Sequence, residues 1–94
     1  MSALDDTARL RQVSDVVACT LDGGNALLDL SSSNYYTLNG SAAMIWEWIG
    51  SGATVPELVE RMLETFDVDR ETCVTDVEAV VASFREARLV VEVD

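Results

Sequence analysis

One uninterrupted segment, Tyr35 to Ile49 (YYTLNGSAAMIWEWI), changes its side-chain period partway along. Tyr36 and Leu38 point the same way on a strand, whereas Ala42, Ile45, Trp46 and Ile49 share one face of a helix. Asn39, Gly40 and Ser41 form the corner, and Ser41 is the expected helix cap. A strand running directly into a helix, with most of the chain's aromatic residues on it, restricts the fold to one in which a sheet and helices share a single core.

Around this hinge the other elements can be read in order. Residues 13 to 20 (VSDVVACT) are β-branched, Leu21 to Asn25 form a turn, and Ala26 to Leu30 places Leu28 and Leu30 on one face, so the two runs predict a hairpin. Ser31 to Asn34 break the pattern before the strand at Tyr35 to Leu38. Beyond the first helix, Thr54 and Glu57 have the spacing of a capping box, and Val55, Leu58, Val59, Met62, Leu63 and Phe66 form an amphipathic stripe. Pro56 falls in the first turn, where its missing N–H costs little. Asp69 is placed to cap a third helix with Cys73, Val77, Val80, Val81 and Phe84 inward and Val74 widening the stripe. Leu89 to Val93 reads as a short strand or apolar tail. The 94 residues thus predict one domain over 13–94 behind a flexible arm over 1–12, an α+β fold with a three-stranded antiparallel sheet followed by three helices.

Charge narrows the function. Seventeen acids against six arginines give a net charge of −11, with no lysine and no histidine. That balance repels phosphate backbones and anionic membranes, so nucleic acid and membrane partners are not expected. A winged-helix DNA-binding regulator, the alternative of another class, would need a basic recognition helix, and Arg70, Arg85 and Arg88 are outnumbered by Glu71, Asp76, Glu78 and Glu86. With neither secretory signal nor spanning segment read from the chain, the expected location is cytoplasmic.

Enzymatic chemistry finds little support. The usual general base, the Schiff-base amine and the phosphate-loop lysine are all missing. Glu57, Glu60 and Glu64 read as a solvated helix face, Asp67 and Asp69 lack the rest of a calcium loop, and Cys19 and Cys73 read as small apolar fillers. No cofactor, metal or catalytic residue is expected. What the residues do offer is the third strand, an unpaired edge beside a valine-rich helix, which is a groove for an extended peptide.

The hinge together with Gly52 to Leu58 (GATVPEL), Phe66 to Asp69 (FDVD), Asp76-Val77 and Leu89-Val90 resembles the PqqD family, over about residues 13 to 91. The resemblance implies a winged-helix-like, non-catalytic recognition element for ribosomally made, post-translationally modified peptides (RiPPs). The leader of a precursor peptide would join as a strand beside Tyr35, Tyr36, Thr37 and Leu38. The third helix would contribute Val74, Val77 and Val81, with Asp76, Glu78 and Arg85 at the margins. With the run ALLDL before it, the chain is most similar to the stand-alone leader-binding proteins of lasso peptide clusters. There the implied partners are a cysteine-protease-like leader peptidase and an ATP-dependent cyclase. The related alternative is a chaperone of the PQQ type serving a radical SAM enzyme. Ala87-Arg88 stands where the family often has a small residue and a glycine before the final leucine.

Overall fold

A computed structural model describes residues 8–21 and 23–93. Residues 1–7 of the expected arm and Asp22 of the expected turn lie outside the described residues. The elements run β1 (Arg9–Gln12), β2 (Val16–Leu21), β3 (Gly24–Asp29), β4 (Asn34–Leu38), α1 (Gly40–Ile49), α2 (Val55–Thr65), α3 (Arg70–Glu86) and β5 (Val90–Val93). Strands β2, β3 and β4 form one antiparallel sheet in that spatial order, and β1 pairs antiparallel with β5 in a second, two-stranded one. The fold is therefore the expected α+β arrangement with an additional ribbon.

Residues 9–12 depart from the arm assigned to 1–12. The segment RLRQ has one apolar side chain and reads as solvated, yet Leu10 is completely buried, and Gln12 Nε2 donates to Trp46 O at 2.8 Å. Arg9 Nη1 donates to Gly52 O at 3.1 Å and reaches Glu57 Oε1 at 3.2 Å. One buried leucine and pairing with the chain's other end suffice to order the strand. That partner is forty or more residues beyond the hinge, so local pattern does not reveal it.

The hairpin forms as expected, and its register sets which side chains are buried. Gly23 takes φ 79°, a backbone state that favours glycine, and closes a tight turn between paired Leu21 and Gly24. Across this register Leu27 points inward and is fully buried, while Leu28 is half-buried on the other side and Leu30 is exposed. Tyr36, opposite Leu27, packs against the core, and Tyr35 is exposed, as their parity predicts.

Helix caps are set by local chemistry. Asn39, rather than Ser41, caps α1: its Oδ1 accepts from Ala42 N at 2.8 Å, and Ser41 donates to the same oxygen. In α2 the Thr54/Glu57 capping box forms in both directions, and Asp69 Oδ2 accepts from Thr72 N at 3.0 Å at the start of α3. At the other end of α3, Arg88 adopts φ 61°, a left-handed state that favours glycine. Leu89 N still bonds Phe84 O at 2.9 Å, so the left-handed turn is kept without a glycine.

The core lies between the three-stranded sheet and the helices. Ile45, Trp46 and Ile49 of α1 meet Leu58, Val59 and Met62 of α2 and Cys73, Val77, Val81 and Phe84 of α3, with Leu27 and Leu10 entering from the two sheets. Trp46 and Phe84 pack edge to face, ring centroids 5.5 Å apart. Trp48 is half-buried, with the Arg61 guanidinium over its ring.

The capping box makes one prediction about pH. The Thr54 backbone N–H, followed by the charge of Arg9, holds the Glu57 carboxyl below its ordinary value of 4.5. A folded-state pKa depressed in this way stabilises the protein above the unfolded value, and the contribution is lost as pH falls through the folded value. Thermal denaturation of the protein and its Glu57→Gln variant should therefore differ at pH 6, with the variant the less stable, and the difference should shrink as pH falls past 4.5 and vanish below the depressed folded-state value. Equal melting curves at pH 6 would show that the charge of the carboxylate contributes nothing, since a glutamine can still accept from Thr54 N.

Candidate functional site

Alternation along an antiparallel ladder determines which backbone groups face outward. Leu30 N donates to Asp15 O at 2.8 Å, so in the β2–β3 register the pairs Val17/Leu28 and Cys19/Ala26 share bonds. On β3, Asn25, Leu27 and Asp29 must then bond toward β4, to Leu38, Tyr36 and Asn34. Tyr35 and Thr37 are left with their N–H and C=O groups directed to the free edge of β4.

Beside that edge is a groove of about 240 Å³ lined by Tyr36, Thr37, Leu38 and Asn39, by Ala42 of α1, and by Val80, Ser83, Phe84 and Ala87 of α3, with Leu89 at one end. Leu38, Val80, Phe84 and Leu89 give it an apolar lining, with Thr37, Asn39 and Ser83 as its polar members. Strand β4 (NYYTL) carries no charge and no proline, so neither of the common devices that block an edge is present. An extended peptide fits this geometry: backbone pairing with Tyr35 and Thr37, and alternate side chains directed toward Val80 and Phe84.

The structure divides the helix residues named from the sequence. Tyr36, Thr37 and Leu38 line the groove, and Tyr35 offers backbone at the edge. Val77 and Val81 are completely buried in the core instead. Val74 and Glu78 lie on the opposite flank, lining a small concavity with Val55, Pro56 and Val59 of α2. Asp76 is exposed, one turn before Val80 on the groove flank. Arg85 faces the ribbon, its Nη2 3.1 Å from Glu92 Oε2 of β5. The groove flank of α3 is thus Val80, Ser83, Phe84 and Ala87, of which Val80 and Phe84 belong to the apolar stripe visible in the sequence.

Chemically the groove holds hydroxyls, backbone and hydrocarbon. Cys73 lies elsewhere, 2 % exposed with Sγ 3.6 Å from Val59 O, and burial pushes its thiol pKa up, which opposes nucleophilic use. Among the described residues no three side chains of the metal-ligating types come together. No described helix is long and apolar enough to cross a membrane.

Comparison with known proteins adds two structural relatives. TbiB1 in complex with the TbiA(beta) leader peptide superimposes with a TM-score of 0.75 at 24% identity, over 85% of this chain and 93% of that one. Lasso peptide synthetase B1 complexed with the leader peptide gives 0.76 at 26% identity, over 87% and 96%. No curated protein matches the chain. The family model described as coenzyme PQQ synthesis protein D matches residues 24–90, a span that runs from the first residue of β3, through β4 and all three helices, to the first residue of β5, and by that match the chain belongs to the PqqD family.

Proposed function

We propose that this protein is a non-catalytic leader-peptide-binding protein of RiPP biosynthesis, of the lasso peptide kind. It captures the leader of a precursor as an added strand on β4, in the groove against α3, and presents it to modifying enzymes. The observation that carries this reading is the uncharged β4 edge, with Tyr35 and Thr37 facing outward beside an apolar groove. The two leader-bound proteins of the same fold support it. The modifying enzymes in this reading are a cysteine-protease-like leader peptidase and an ATP-dependent cyclase. The groove binds and orients, and its lining of hydroxyls, an amide and hydrocarbon holds no carboxylate, imidazole or amine to activate a hydroxyl as a nucleophile.

Calorimetric titration with the leader encoded beside this gene should give a dissociation constant of about 1 μM or tighter, on the order of −8 kcal/mol. Thr37→Pro removes an outward N–H without touching the β3–β4 ladder and should weaken binding by about tenfold or more, the effect of losing one backbone hydrogen bond and its alignment. Absence of binding by the native chain to its own leader would overturn the proposal. Preferential binding of a quinone-cofactor precursor would instead assign the protein to a radical SAM partner.

A further inference from the structure

The three-stranded sheet has a second free edge. Among the described residues strand β2 bonds only to β3, and the alternation that leaves Tyr35 and Thr37 outward on β4 leaves Ala18 and Thr20 outward on β2. Val16 fits the same phase, since its N–H turns away from β3 to Val13 O at 3.1 Å. The segment VVACTL has neither charge nor proline, and Val17, Ala18 and Thr20 are exposed. The ribbon differs: Arg9 and Arg11 stand on β1 and Glu92 on β5, charges that discourage edge pairing. Only β2 and β4, among the described strands, combine an outward ladder with an uncharged sequence.

The β2 edge also borders a groove. A concavity of about 500 Å³ runs between it and α1, lined by Val16, Val17, Ala18, Ala43, Trp46 and Glu47 among others. Glu47 is the charged side chain on that lining, on a protein of net charge −11. The arrangement at this edge repeats that of β4 with α3 at the opposite edge of the sheet, but with a carboxylate beside it.

We infer that the β2 edge and the groove under α1 form a second strand-addition site, which takes an extended cationic segment of another protein. Outward backbone at Ala18 and Thr20 supplies the ladder, the groove accepts small or branched side chains, and Glu47 selects lysine or arginine. A second copy of this chain is disfavoured as the occupant, because each copy brings eleven excess negative charges to the contact. The two outward ladders lie on different strands, and the two grooves share only Leu38 in their linings, so both can be filled together.

The test uses the ¹⁵N-labelled full chain and two seven-residue peptides that alternate valine and threonine, one ending in lysines and the other in glutamates. The lysine peptide should shift the amides of Ala18, Thr20, Ala43 and Glu47 and bind about tenfold more tightly than the glutamate peptide. Ala18→Pro should abolish its binding and leave leader binding unchanged, whereas Thr37→Pro should do the reverse. Glu47→Lys, at an exposed helix position, should weaken it about fivefold or more even if the proline variant does not fold. Equal binding of the two peptides, shifts confined to Tyr35–Leu38, or no saturable binding would overturn the inference. A dimer in sedimentation that Ala18→Pro dissolves would assign the edge to a second copy and overturn it too.

Discussion

Val81→Glu should leave the chain without a cooperative thermal transition, whereas Val80→Glu, at the adjacent position, should melt within a few degrees of the parent and fail to bind the leader. Val81 is completely enclosed among the core residues of all three helices. A carboxylate there has no partner, and burying it unpaired costs on the order of 5 kcal/mol. A domain of this size has about 5–15 kcal/mol of stability in total. Val80 is half-buried on the groove flank, so a glutamate there can reach solvent along the helix surface while filling the space that leader side chains need. The expected loss of affinity is about a hundredfold, near 3 kcal/mol. Circular dichroism melts of the two variants, followed by titration of whichever folds, decide the matter. If Val80→Glu bound normally, the groove would not be the leader site.

This pair of valines also shows where sequence reading reaches its limit. The stripe through Cys73, Val77, Val80, Val81 and Phe84 identifies α3 and its inward direction, and Cys73, Val77, Val81 and Phe84 are the residues it buries. It does not specify the flank that faces β4. Val74 and Val80 border the stripe on opposite sides with similar apolar character, and a helical period treats them alike. The choice depends on α2 covering the Val74 side, which is tertiary packing with no local signal. The capping residues Thr54 and Asp69 behave as their chemistry dictates, because a cap is completed within four residues. Asn39 displaces Ser41 for the same local reason: its side-chain oxygen reaches Ala42 N, three residues on. Strand β1 stays hidden because its partner is at the far end of the chain. The β4 edge was legible, since the strand is followed immediately by a helix and nothing in the chain order supplies it with another neighbour.

Phe84→Ala should cost about 3–5 kcal/mol and lower the melting temperature by roughly 15–30 °C. The ring is 3 % exposed and stands at 79° to the Trp46 ring, a contact that adds about 1 kcal/mol to its burial. Its second role is geometric. Trp46 is on the helix that continues directly from β4, so the Trp46–Phe84 contact fixes how far α3 stands from the strand and hence how wide the groove is. Phe84 is also part of the groove lining. Truncation should therefore weaken leader binding even where the variant remains folded, at low temperature. Phe84→Leu separates the two roles, because it retains most of the buried volume at a cost below about 1.5 kcal/mol but removes the aromatic contact with Trp46. If the groove depends on that contact, Phe84→Leu will bind the leader more weakly than its small stability loss explains, and Trp46 fluorescence will report the altered packing. Unchanged affinity in Phe84→Leu would mean that the width of the groove is set by the backbone of α1 and α3 alone.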